Sequence, residues 1–228
     1  MNAVMDRSTR RRAGGVYYAS RALLTHLARQ LRHRGSLKSH CAGKSDLLLN
    51  IGCGALIPEG WVNVDYQPTP GRSFYFDALD PLPLDDSTVR HIHCEHFLEH
   101  IEHRDALKFL ADCHRVLNAN GTMRIIVPDV ERYMRAYVAD DREFFERLVN
   151  LGGHAEPLRP KNMVCNQMFR MWGDHRFAWD LESLEVAARS VGFSDIRRSS
   201  HNDVEPAYAI DGQDWWRPFE SLYANLRK

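Results

Sequence analysis

The chain has 228 residues, 44% of them hydrophobic and 26% charged, with 30 basic and 30 acidic side chains. That length suits one sizeable domain with a short appendage, and the composition is that of a globular protein with a real core. Five scattered cysteines without CxxC spacing exclude a disulfide framework and point to a reducing compartment. No apolar run approaches the roughly 18 residues a membrane span needs, and the N-terminus lacks a signal-peptide core. The expected location is cytoplasmic.

The balanced charge is unevenly placed. Up to Lys44 there are ten basic residues and one acid, Asp6, leaving 20 basic and 29 acidic residues in the remainder. Residues 1–45 therefore form a basic arm, partly helical or disordered. Val16 to Arg34 has Leu23, Leu24, Leu27 and Leu31 at helical spacing, and Gly35 to Lys44 reads as a linker. Such an arm is a solvated helix packing on the domain, or a contact for nucleic acid or a membrane surface.

From Asp46 strand and helix patterns alternate, which predicts an α/β sheet. Leu47–Ile51, Val62–Asp65, Ser73–Asp77, Val89–Cys94 and Thr122–Val127 are the expected strands. Asp105 to Leu117 is the clearest helix, with Ala106, Phe109, Leu110, Cys113 and Val116 on one face and Gly121 as its left-handed cap. Residues 129–180 break the alternation, with helices expected near Val130–Val138 and Asp141–Leu151. Asp180 can cap a further helix that Gly192 closes, and last strands are expected near Ile196 and Tyr208–Ile210.

The most informative stretch is Leu47-Leu48-Leu49-Asn50-Ile51-Gly52-Cys53-Gly54, followed by Val62-Asn63-Val64-Asp65. Glycines at a strand's exit let the backbone turn sharply and approach a ligand where a Cβ would clash. A carboxylate ending the neighbouring strand can accept from both hydroxyls of a ribose. Only Ala55 to Gly60 separates the turn from the second strand, whereas a parallel crossover normally takes a dozen or more residues. The first crossover helix is thus lost or cut to a single turn. A nicotinamide fingerprint would need a third glycine and an acid about 20 residues on; both are missing.

These residues, with Asp77-Ala78, Leu82-Pro83-Leu84, Glu95-His96-Phe97-Leu98-Glu99-His100 and the Cys113-to-Gly121 stretch, make the chain similar to the class I S-adenosylmethionine-dependent methyltransferases. The resemblance implies a Rossmann-like, mostly parallel seven-stranded sheet with helices on both faces and a shortened first crossover. It implies S-adenosylmethionine as cofactor, lying over Asn50, Gly52, Cys53 and Gly54. Asp65 would hold the ribose hydroxyls and Asp77 and Ala78 the adenine, while Glu95 and His96 would face the methionine moiety. Residues 46–228 would form this domain, with 129–180 an insertion that builds the acceptor pocket from Arg170, Trp172, His175 and Arg176. The expected reaction is methyl transfer to an oxygen or nitrogen of a small-molecule or glycan-like acceptor, with His100 or His175 as general base.

Two alternatives stand beside it. One is a nucleic-acid methyltransferase or binding module that uses the basic arm. The other is a zinc hydrolase, since His96-Phe97-Leu98-Glu99-His100 matches H-x-x-E-H. No metal site is assigned in the preferred reading.

Overall fold

The computed structural model describes residues 35–149 and 160–228. The basic arm up to residue 34, with its expected helix, lies outside them. Seven strands form one sheet: β1 (Leu47–Ile51), β2 (Val62–Asp65), β3 (Phe74–Tyr75), β4 (Val89–Glu95), β5 (Leu117–Pro128), β6 (Asp195–Ser199) and β7 (Ser221–Arg227). Their order is β3-β2-β1-β4-β5-β7-β6. All neighbours are parallel except β7, which runs antiparallel to both β5 and β6. The helices are α1 (35–41), α2 (His103–Val116), α3 (Val130–Val138), α4 (Arg142–Leu148), α5 (Lys161–Arg170), α6 (Leu181–Ser190) and the single turn α7 (Arg217–Glu220).

Strand side chains alternate between two faces, and here the faces differ in chemistry. Leu49, Ile51, Val62, Val64, Ile92, Cys94, Ile125, Val127, Leu222 and Ala224 join one apolar cluster with residues of α1, α2 and α6. Their neighbours on the opposite face are polar. Asn63, Asn50, His93, Arg124, Asn225 and Arg197 are register partners in turn, a polar row across six strands.

Among the described residues, loops and the 3-10 turn Pro206–Tyr208 lie over part of this second face. The β1–β2 connection carries no helix, as its length predicts. Asn50 Nδ2 donates to the Leu56 carbonyl (2.8 Å), and Asn63 Nδ2 donates to those of Pro58 (3.2 Å) and Trp61 (3.1 Å). Residues 200–216 lie over another part. Tyr208 stacks on His91 at 4.2 Å, and Asp211 pairs with Arg124 through a 2.6 Å bond from Nε and a second from Nη2. Arg124 Nη2 also donates to the Ser200 carbonyl and Nη1 to Asn225 Oδ1. Both partners of the ion pair are fully buried.

Several expectations are corrected. Residues 35–41, read as a linker, are helical, and Leu37 and Cys41 are buried in the core. Gly121 does not cap α2 in a left-handed turn; Leu117 is already extended. A Cβ on Gly121 would lie 2.9 Å from Leu117 Cβ, so close approach is what requires the glycine. Tyr208–Ile210 is not a strand. Tyr208 ends a 3-10 turn and its ring packs over the sheet, while the last strand is β7. The helix expected to reach Leu151 ends at Leu148, with Asp141 capping Phe144 N. The α6 helix is as expected, with Asp180 and Ser183 forming a reciprocal capping box.

Removing one partner of a buried pair strands the other charge, at a cost of about 3–5 kcal/mol. Arg124→Met is therefore expected to lower unfolding stability by about that much, and Arg124→Met with Asp211→Asn by less than the single change; urea denaturation measures both. A second expectation concerns pH. Burial, then His93 and Arg124, lower the pKa of His91 to about 3. Its unfolded value is higher, so the unfolded chain binds the extra proton and stability falls as pH drops from about 6.5, by at most about 1.4 kcal/mol per unit. In His91→Phe this component is absent. The wild-type urea midpoint should then fall more steeply than the variant's between pH 7 and 4.5, and parallel slopes would refute the assignment.

Candidate active site

The turn after β1 is built as the glycines require. Gly52 (φ 68) and Gly54 (φ 48) are both left-handed, and the Gly52 and Cys53 amides donate to the Val64 carbonyl at 2.9 and 3.1 Å. Asp65, at the end of β2, accepts from Gly54 N (2.9 Å) on one oxygen and Gln67 N (2.7 Å) on the other. Each oxygen keeps a lone pair, enough for one hydroxyl of a vicinal diol. A Cβ at Gly54 would meet nothing within 4 Å, so the floor beside Asp65 is open. Asp77 Oδ1 takes Leu79 N at 3.0 Å, and Asp77 and Ala78 are half-buried. These groups fit an adenosyl sugar and base along the carboxyl ends of β1 to β3.

Other residues of the turn are turned inward. The Asn50 amide spends its hydrogens on Leu56 and Asn63. Cys53 is buried, and desolvation followed by the charge of Asp65 raises its thiol to about 11, so only its backbone borders the turn. Glu95 is clamped by Arg217, by Gly212 N (2.9 Å) and by His93 Nε2 (3.2 Å). Burial opposes its charge, but the His93 bond, Arg217 and Gly212 outweigh burial and bring it to about 2.

Past Glu95 the chain turns at His96, which has φ 47. Phe97 packs on Gly52 so closely that a Cβ there would sit 2.6 Å from Phe97 Cδ2. His96, one residue earlier, lines a cavity of about 390 Å³. Its walls come from Glu99 and His100 of the 3-10 turn Leu98–His100, from α3, α4 and α5, from Met171 and His175, and from Trp216 and Glu220. Tyr133, Leu148, Val164, Met168 and Met171 make the apolar part. His96, Glu99, His100, His175 and Glu220 make the polar part.

The polar end has a definite charge pattern. His96 Nδ1 is 3.2 Å from Glu99 Oε1, and Nε2 is 3.0 Å from Ser221 Oγ and 3.9 Å from Glu220 Oε1. Burial disfavours the imidazolium, yet Glu99 and Glu220 overcome burial and raise its pKa. Glu99 is held low against burial by His96 and His100, whereas burial raises Glu220, whose Oε2 accepts from Tyr133 Oη at 2.8 Å. His175 is lowered by burial, so it is neutral near pH 7, and its ring meets that of His100 edge-on at 4.8 Å.

Of the site residues read from the sequence, Gly52, Gly54, Asp65, Asp77 and Ala78 lie together at the strand ends, and His96, His100 and His175 meet in the cavity. Arg170, Trp172 and Arg176 are exposed and do not line the cavity. The H-x-x-E-H arrangement does not form as a helical ligand pair. His96 sits at a strand end and only three residues, Leu98–His100, are in a 3-10 turn, so His175 rather than His96 completes the group around Glu99 and His100. Tyr133, Arg217, Glu220 and Ser221 were missed. They are distant in sequence from the motif, and no local pattern singles them out.

Residues 65–125 match the family model for a methyltransferase domain. Curated protein sequences give no match. Among solved structures, a SAM-dependent methyltransferase from Archaeoglobus fulgidus is similar at TM-score 0.50 and 15% identity, over 86% of this chain and 94% of that one. A Thermotoga maritima protein described as a SAM-dependent methyltransferase and possible histamine N-methyltransferase gives 0.48 and 16%, over 93% and 96%. The 1,6-didemethyltoxoflavin-N1-methyltransferase of Burkholderia thailandensis, solved with S-adenosylhomocysteine, gives 0.43 and 15%, over 100% and 93%. The first shares the fold; the other two are too distant to add to it.

Proposed function

We propose that the chain is a class I S-adenosylmethionine-dependent methyltransferase, with that sulfonium as its cofactor, and that it methylates an oxygen or nitrogen of a small-molecule or glycan-like acceptor held in the cavity beside His96. One observation carries the acceptor reading. Consecutive residues join the two sites: Phe97 rests on the Gly52 turn and His96 lines the cavity. A donor on the turn and an acceptor in the cavity would thus face each other across one peptide.

When bound, the cofactor supplies a methyl group on positively charged sulfur. The protein's share is orientation and the exclusion of water. Asp65 holds the sugar, and the Gly52–Gly54 turn keeps the backbone out of the donor's way. The apolar wall of Tyr133, Leu148, Val164 and Met168 desolvates the acceptor and limits its size, since about 390 Å³ lies in the range of small-molecule sites. The polar end, with neutral His175 beside His100, receives the nucleophilic atom. Without the first crossover helix, the Ala55–Gly60 edge beside the donor is partly exposed.

Calorimetry with S-adenosylmethionine and S-adenosylhomocysteine tests the donor half. Charge-assisted hydrogen bonds contribute about 1.5–3 kcal/mol, so Asp65→Ala is expected to weaken both ligands roughly 10- to 100-fold. Unchanged affinity would remove the sugar from Asp65. For the acceptor half, Met168→Trp fills the cavity. Mass spectrometry against a panel of small alcohols and amines should then show methyl transfer by the wild type and none by the variant, with cofactor binding retained in both. Full transfer by the filled variant would place the acceptor elsewhere.

A further inference from the structure

Glu99, His100 and His175 bring three donor atoms within 4.8 Å of one another at the polar end of the cavity. We propose that they bind one divalent transition-metal ion of the zinc type, whose remaining positions face the cavity and take an oxygen or nitrogen of the acceptor. The inference rests on the acceptor reading for its role in transfer, though not for binding of the ion itself.

Three observations carry it. The first is the scaffold. The Glu99 carbonyl accepts from both Arg176 N (2.7 Å) and Phe177 N (3.2 Å), and His175 N donates to the Arg170 carbonyl (3.2 Å). Main-chain bonds therefore fix the two segments side by side, whatever their side chains do. The second is the His175 tautomer. Its Nδ1 is 2.6 Å from the Met168 carbonyl, which can only accept, so Nδ1 carries the hydrogen and Nε2 is bare. A ring nitrogen donating to a backbone carbonyl while the other ligates is the usual outer-sphere support of a metal-bound histidine. The third is the carboxylate. Glu99 is 2% exposed, and neither of its oxygens accepts a hydrogen bond. Its Oε1 faces the His96 ring at 3.2 Å as an ion pair, which leaves Oε2 without a hydrogen-bond partner. A buried carboxylate oxygen left without a hydrogen-bond partner is a ready ligand for a cation.

The donor set also selects the metal. Two imidazoles and one carboxylate suit zinc and its neighbours rather than magnesium or calcium, and three protein ligands leave room for a fourth from a substrate. Donor atoms of one such ion lie about 3–4 Å apart, given bonds of about 2.0–2.2 Å. Small rotations close the rest of the gap, and His100, being exposed, is free to make them. Coordination acidifies a hydroxyl or water. An acceptor oxygen bound there would release its proton to solvent and keep the lone pair. That pair would form the O–CH3 bond as the S–CH3 bond breaks, its electrons remaining on sulfur as a neutral thioether. The two imidazoles thus serve the acceptor through a shared ion instead of taking its proton themselves.

The full chain, stripped with chelator, is titrated with Co²⁺, whose visible absorption reports the ligand field, and with Zn²⁺ by calorimetry. One ion per chain is expected at this site. His100→Ala and His175→Ala should each weaken binding at least tenfold and change the Co²⁺ spectrum, while His114→Ala, outside the cavity, should do neither. Glu99→Gln, which keeps the side-chain shape, should weaken it as well. No bound ion, or affinity unchanged in both histidine variants, overturns the proposal. S-adenosylmethionine affinity is measured on the same samples. If the ion binds as expected but the cofactor does not, the donor reading fails and the metal site stands. If the cofactor binds and the ion does not, only the metal site falls.

Discussion

The buried pair of Arg124 and Asp211 is the constraint on which the site depends. Arg124 stands in the middle of the sheet, on β5, with its guanidinium on the face opposite the apolar cluster. Five acceptors meet it there: both Asp211 oxygens, the Ser200 carbonyl, Asn225 Oδ1 and, at 3.5 Å, Ser199 Oγ. Asp211 in turn takes the Asn202 amide. These bonds pin the 200–216 segment to the sheet. From that anchor the Gly212 amide reaches Glu95, and Arg217 reaches the same carboxylate. Glu95 ends β4 directly before His96, so the position of the cavity wall is inherited from an ion pair on another strand.

The polar row has a physical origin in what covers it. A helix satisfies its own backbone, and the face beneath it can be purely apolar. Irregular chain cannot do this, and each of its buried carbonyls and amides needs a partner from elsewhere. The sheet supplies those partners as side chains. Asn50 and Asn63 hold the short β1–β2 connection, and Arg124 and Glu95 hold 200–216. The loss of the first crossover helix and the presence of asparagine, histidine and arginine inside parallel strands are one fact seen twice. Full burial of these groups makes that face the less forgiving of the two, because a partly satisfied polar network is worse than an apolar layer.

The features legible in the sequence were those written into short local stretches. The apolar runs Leu47–Ile51 and Val62–Val64, the glycines after them and the amphipathic α2 each carry their period within a few residues. Asp180 with Ser183 announces α6 in the same way. Leu222, Ala224 and Leu226 also alternate, yet the last strand went unread while Tyr208–Ile210 drew attention as a β-rich run. Tyr208 is instead a ring laid flat on His91, a contact no local pattern encodes. The cavity was half legible. His100 and His175 were singled out by residue type, and they do meet, but the partners Tyr133, Glu220 and Ser221 come from elements far along the chain. The arginines of the 170–176 segment look like ligand-binding groups in sequence, yet the left-handed backbone at Met171 and Trp172 goes with exposed Arg170 and Arg176, leaving Met168, Met171 and His175 to line the cavity.

The Phe97 ring lies on Gly52 with no space for even a methyl group between them. A ligand that reaches the Gly52 side of that turn would meet this ring, and the adjoining imidazole is tethered to Ser221. Two ligands that share such a lever acquire mutual influence: each alters the other's affinity by the same factor. Donor and acceptor would then report on one another before any chemistry takes place, and the order in which they arrive becomes a property of a single peptide unit.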